Sequence, residues 1–176
     1  MPPTRPQAVS PHIDDPMALL RACHEKVVRF TDLAQRLLVH TRTRGADTQA
    51  REAAQSVLRY FTLAAPLHHA DEEEDLFVAL RALDRPALNA RLDALEAEHE
   101  ALAEHWAGVQ PWLQDLAEGR QPAAAEPDVD AFAEFYRAHA QAEEAEVYPH
   151  AAALSPHTLA AIAARMVARR QPRPEA

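Results

Sequence analysis

At 176 residues the chain is long enough for one domain with a sizeable core, and its formal charge of -9 excludes a surface built for nucleic acid, which needs a basic stripe. Its single cysteine, Cys23, excludes an internal disulfide framework and fits a reducing compartment. No run of the sequence is apolar enough to span a membrane, and the proline-rich start from Met1 to Pro16 lacks the apolar core of a secretion signal, so a soluble cytoplasmic protein is expected.

The apolar share, 48%, is largely alanine and leucine with only 3 glycines, which favours helix throughout. The prolines gather near the two ends and at plausible helix boundaries. Residues 1–13 read as a disordered tail, residues 14–170 as one helical domain, and residues 171–176 as a C-terminal tail. A first helix begins near Asp14 or Asp15, with Pro16 in an early helical position, and runs to about Thr43. Leu20, Val27, Thr31, Ala34 and Leu38 trace its apolar stripe, and His24 lies on it.

Gly45 and Asp47 mark a break before a second helix over residues 48–84, with Val57, Phe61, Ala65, His68, Glu72, Leu76 and Leu80 on one side. Pro66 falls inside this span and is expected to bend it. The third helix starts by Pro86 and carries Leu88, Leu92, Leu95, His99, Leu102, Trp106 and Val109 toward Leu116, with Pro111 placed to separate off a last short turn. After a proline- and alanine-rich linker over 119–127, a fourth helix runs from about Asp128 to Pro149 with Phe132, Phe135, His139, Glu143 and Val147 along one face. Ser155-Pro156 opens a short fifth helix to about Arg169. The basic cluster Arg165, Arg169, Arg170 and Arg173 reads as a helix terminus and tail. The fold expected is all-α: an antiparallel up-down four-helix bundle with a short C-terminal helix packed at one end.

Two stretches of this pattern repeat. The segment His68-His69-Ala70-Asp71-Glu72-Glu73-Glu74-Asp75-Leu76-Phe77 is echoed by His139-Ala140-Gln141-Ala142-Glu143-Glu144-Ala145-Glu146-Val147-Tyr148. In each, a histidine is followed four residues on by a glutamate and nine residues on by an aromatic, which stacks the imidazole and the carboxylate on one helix face. With His24 and His99 on the remaining stripes, the inventory is four imidazoles and two carboxylates, enough for two first-row metal ions with Glu72 and Glu143 as shared bridges. Nitrogen and oxygen donors without thiolate favour iron or manganese; zinc would bind as well but adds no redox function.

The bland readings are a solvated acidic face for Glu72 to Asp75 and ordinary core or surface roles for the individual histidines. His68 and His69 point about 100° apart on a helix, so both are not expected to face the centre equally. His68 with Glu72 matches the second repeat; His69 with Glu73 is the alternative register, the member left over serving to orient a ligand. Cys23 reads as a packed thiol, Trp106 and Phe61 suit either a pocket lining or the core, and Trp112, Tyr60 and Tyr148 are candidate electron-transfer or hydrogen-bonding groups that no sequence feature singles out. His12, His40, His150 and His157 lie off the stripes or near termini.

The ordered set Cys23-His24-Glu25-Lys26, the His68 to Phe77 run, Glu98-His99-Glu100 and the His139 to Pro149 run resembles the hemerythrin-like, or HHE cation-binding, domain family over most of residues 16–150. The resemblance implies a four-helix bundle around a non-haem di-iron centre, with His24, His68, Glu72, His99, His139 and Glu143 as ligands and the two glutamates as bridges. Oxygen-carrying hemerythrins have a second histidine four residues along the third helix; here that position is Ala103, leaving six protein ligands where the carrier has seven. His105 lies roughly 240° around the helix from His99 and does not replace it. The proline that the family places after Leu-Phe is Val78 on the second helix, while Pro149 retains it on the fourth.

The pattern looks closer to bacterial di-iron proteins of redox or nitrosative stress. The function expected is binding of dioxygen, nitric oxide or peroxide in a sensing or stress-related redox role, served by an unidentified electron donor, in a monomer or homodimer. The alternatives are a di-iron enzyme that reduces peroxide or nitric oxide, and a metal-free helical interaction module.

Overall fold

The computed structural model describes residues 15–123 and 125–171. The tail expected over 1–13 lies outside these residues, as does all but Gln171 of the tail expected over 171–176. Among the described residues there are helices and no strands.

Helix α1, Pro16–Arg44, starts where Asp15 accepts a hydrogen bond from the Met17 N–H at 2.9 Å and Pro16 fills the first turn. It stops at Gly45, whose φ of 69° is a left-handed conformation that glycine adopts without steric cost. Asp47 then caps the next helix through the Ala50 N–H at 2.8 Å. That second rod, α2, occupies residues 48–81 as Thr48–Arg59, a π turn over Tyr60–Ala64, Ala65–Asp71, a second π turn over Glu72–Leu76, and Phe77–Arg81. Pro66 offers no N–H to the carbonyl four residues back. The chain passes that point through the π turn just before it, in which the Ala65 N–H reaches back to the Tyr60 carbonyl.

Helix α3, Pro86–Ala117, is unbroken across Pro111, so the separate last turn expected there does not form. Helix α4 comprises Val129–Ala142 and a π turn over Glu143–Val147, followed by a 3-10 segment, Tyr148–Ala153, that contains Pro149. Helix α5, Pro156–Arg169, begins at Ser155, which accepts from the Thr158 N–H at 3.1 Å.

The four long helices pack in a ring, α1 on α2, α2 on α3, α3 on α4 and α4 back on α1, while α5 lies against α1 and the middle of α2. Each long helix crosses three layers. One apolar layer holds Val27, Leu37, Phe61, Leu102, Leu113, Phe132 and Tyr136; the other holds Leu20, Leu76, Phe77, Leu92, Leu95, Val147 and Ile162. Between them, all four rods switch at the same level to buried polar residues: His24, His68 and Glu72, His99, then His139 and Glu143. Phe61 belongs to the first apolar core and Trp106 packs against it, so neither lies in the polar layer.

The basic cluster is not a free terminus. Arg169 pairs with Asp71, with Glu74 at 2.8 Å and with Asp75 at 2.9 Å; Arg170 reaches Asp71 at 2.5 Å, and Arg165 pairs with Asp75. Asp71 and Asp75 are buried, so the acidic run of α2 is not a solvated face either. Arg173 lies outside the described residues.

Candidate metal centre

The polar layer gathers its side chains into two groups whose potential ligand atoms lie within 4.8 Å of one another: His24, His68, Glu72 and Glu143 in one, His69, His99 and His139 in the other. The carboxylates of Glu72 and Glu143 stand between the groups. Glu72 Oε2 is 3.6 Å from both His68 Nε2 and His99 Nε2, and Glu143 Oε1 is 3.5 Å from His99 Nε2 and 3.1 Å from His139 Nε2. Glu143 Oε2 also meets His24 Nε2 at 3.1 Å. All six residues singled out in the sequence lie in this layer, and His69 joins them.

The outward nitrogens of three rings are occupied. Nδ1 of His24 pairs with Glu144 at 2.8 Å, Nδ1 of His99 with Glu73 at 2.5 Å, and Nδ1 of His139 with Glu98 at 2.8 Å. A carboxylate on the far nitrogen accepts the Nδ1 proton and turns Nε2 inward, where its lone pair would serve a cation. The inward atoms have little to meet: His99 Nε2, His139 Nε2, Glu72 Oε2 and Glu143 Oε1 are buried without a hydrogen-bond partner, as is His68 Nδ1. The register question of α2 therefore has a shared answer, since His68 and His69 both reach the layer, Glu72 lies inside it and Glu73 buttresses His99 from outside.

Electrostatics follows from burial. Burial, then the facing Glu143 charge, pushes the Glu72 carboxyl well above the ordinary carboxylate range. Burial opposes the Glu143 charge too, but the His139, His24 and His99 rings that face its two oxygens outweigh it and hold that carboxyl well below the usual range. His68 is pushed well down by burial, and burial with the adjoining His99 ring lowers His69 to about 3, so both rings are neutral and free to donate a lone pair. These directions belong to the metal-free protein; a cation would reverse the Glu72 shift.

Tyr148, the aromatic nine residues after His139, closes one side. Its hydroxyl donates to Glu72 Oε1 at 2.6 Å and lies 3.2 Å from His24 Nε2, and its ring stacks on His24. Burial, then the Glu72 charge, drives its pKa well up, so it stays a donor. Cys23 is buried, and burial raises its thiol. His105 packs on Phe135, away from the layer, while His40 pairs with Asp47 and His150 meets Arg85. A surface groove between α1 and α4, lined by His24, Val28, Arg137, Ala140 and Glu144, reaches the edge of the site.

Sequence reading carried His69 and Glu73 as an alternative to His68 and Glu72, not as residues present beside them, and it gave no outer role to Glu98 or Glu144. A signal for the outer carboxylates existed: Glu73 and Glu144 follow the two repeat glutamates at the same offset, and Glu98 directly precedes His99. The π turns left no comparable signal, yet two of them begin at Glu72 and Glu143, extending the repeat into the backbone.

Comparison with known proteins agrees with this geometry. A protein of Haemophilus influenzae, described only as an uncharacterized protein, is 32% identical over 158 residues, covering 90% of this chain and 91% of its own. Residues 15–151 match the family model of the hemerythrin HHE cation-binding domain, a span that includes all four long helices and every residue of the polar layer. The chain belongs to the hemerythrin HHE cation-binding domain family.

Proposed function

We propose that this is a non-haem di-iron protein that binds dioxygen, nitric oxide or peroxide in a sensing or stress-related redox role. The observation that carries the reading is the convergence of buried, unpartnered ligand atoms on one volume, with the opposite nitrogen of three of the four rings singled out in the sequence already held by a carboxylate. Leaving such atoms unpaired in a bundle core costs about 1–3 kcal/mol each, and coordination to a cation removes the cost.

His24, His68, Glu72, His99, His139 and Glu143 would hold the ions, the two glutamates shared between them. Imidazole and carboxylate donors suit iron; manganese or zinc could occupy the same residues. When bound, a pair of irons supplies reversible electron transfer to a small ligand. The chain's own residues do the rest. The outer glutamates hold the rings in one tautomer, Tyr148 fixes one oxygen of Glu72, the apolar layers exclude water above and below, and the groove beside His24 offers a small molecule an approach. A stress role is favoured over oxygen carriage because α3 presents one inward imidazole, Ala103 being exposed. An electron donor is a further expected partner, and a cytoplasmic setting suits the free thiol.

Anaerobic purification with metal analysis, followed by optical spectra before and after exposure to dioxygen or nitric oxide, tests the reading. Roughly two iron equivalents per chain, a ligand-dependent spectral change and loss of thermal stability on chelation are expected. Protein that carries no metal, takes none up and is indifferent to chelators would be a helical interaction module instead. Repeated consumption of nitric oxide or peroxide by the reduced protein, as opposed to a single round of binding, would make it an enzyme.

A further inference from the structure

We infer that His69 is a metal ligand, the third imidazole of the ion held by His99 and His139, in place of the second histidine that the third helix lacks. The inference rests on the two-ion reading above and adds a residue to it. Without His69 the two ions are served unequally. His24 and His68 face one of them, and on the other side only His99 and His139 remain beside the shared carboxylates. The third helix offers nothing more, because Ala103 turns to the exposed face and His105 packs on Phe135.

The ring of His69 lies where a further donor is wanted. It stacks on His99 with centroids 4.0 Å apart and planes 9° from parallel, and its centroid is 6.2 Å from that of His139. One nitrogen from each of these three rings falls within a common 4.8 Å. Unlike His24, His99 and His139, it has no hydrogen-bond partner among the described residues, so no competing interaction holds its nitrogens. The 100° between neighbouring helix residues, which argues against two inward histidines when there is one centre, is what two ion positions require. His68 turns to one and His69 to the other, with ring centroids 5.8 Å apart.

The test is cobalt(II) uptake by the full chain, followed by competition with a chelator. Wild-type protein is expected to take two ions. His69→Phe, which keeps an aromatic ring against His99 but has no nitrogen, should hold one of them at least 10–100-fold more weakly, the range that loss of even an outer partner of a ligand costs. Added imidazole should restore the second ion to His69→Ala, a rescue that a merely packed ring would not show, and His105→Ala should behave as wild type. If His69→Phe does not fold, the imidazole experiment on His69→Ala decides alone. Unchanged competition in His69→Phe, or no rescue of His69→Ala, overturns the assignment. Failure of the wild type to take two ions would instead overturn the two-ion reading on which it rests.

Discussion

At the scale of single residues, the outer carboxylates decide how well the inner ones work. Among the described residues Glu73 pairs with no other member of the layer, yet its 2.5 Å hydrogen bond with His99 Nδ1 orients the ring that faces both Glu72 and Glu143. Glu73→Ala should therefore weaken metal binding about 10–100-fold while leaving the metal-free protein folded, because the lost group is partly exposed. Chelator competition against circular dichroism of the metal-free form separates the two effects; a variant that loses folding and metal together would contradict it. The six histidines and glutamates of the repeat and stripes were legible because a three- and four-residue period assigns a residue to a face. Period alone does not say that a face looks onto two foci, which is why His69 reads as surplus. Nor does it mark an outer carboxylate, since Glu73, Glu98 and Glu144 sit among charges indistinguishable in sequence from a solvated run.

At the scale of elements, the His-x-x-x-Glu step stands at the junction of two kinds of helix. Both copies run as α-helix through the histidine and enter a π turn at the glutamate. The wider turn displaces the backbone at the carboxylate relative to the ring one turn earlier, a feature that π bulges supply at functional sites. Helix α5 acts on the same segment from outside, its arginines neutralising Asp71 and Asp75 beside the first π turn. Its length, its start and its packing on the bundle were legible, but the ion pairs that hold it were not, because the arginines' partners lie ninety or more residues away. Breaking a buried pair by removing one member costs about 3–5 kcal/mol. Arg169→Met should fall at the low end, about 3 kcal/mol, since Arg170 stays on Asp71 and Arg165 on Asp75. Urea unfolding of the metal-free protein measures it, and a change under about 0.5 kcal/mol, the size expected of an ordinary surface substitution, would show that α5 does not depend on this pairing.

At the scale of the whole molecule, two apolar layers confine a polar one, and stability should report the protons that layer holds. In the metal-free protein, burial keeps His68 and His69 below their ordinary 6.5, and burial with the Glu143 charge keeps Glu72 above its ordinary 4.5. Below pH 6.5 the unfolded chain binds two protons that the folded histidines refuse, so their contribution is lost as pH falls. Glu72 works oppositely: above pH 4.5 the folded chain keeps a proton that the unfolded chain releases, so stability is lost as pH rises toward its folded pKa. Between those values the unfolded chain holds a net excess of one proton, and stability should rise with pH by about 1.4 kcal/mol per unit. Above pH 6.5 the balance reverses. Glu72 still resists ionisation, and His99, where the Glu143 and Glu73 carboxylates facing its ring outweigh the burial that opposes its charge, keeps a proton that the unfolded chain gives up. Thermal midpoints of chelated protein should therefore peak near pH 6.5 and decline on both sides. Loaded protein should behave differently, because an ion displaces the Glu72 proton and needs the histidines neutral, so its midpoint should hold on the alkaline side and fall only as acid competes for the ligands. Superimposable profiles with and without chelator would mean that the polar layer carries its protons independently of any cation.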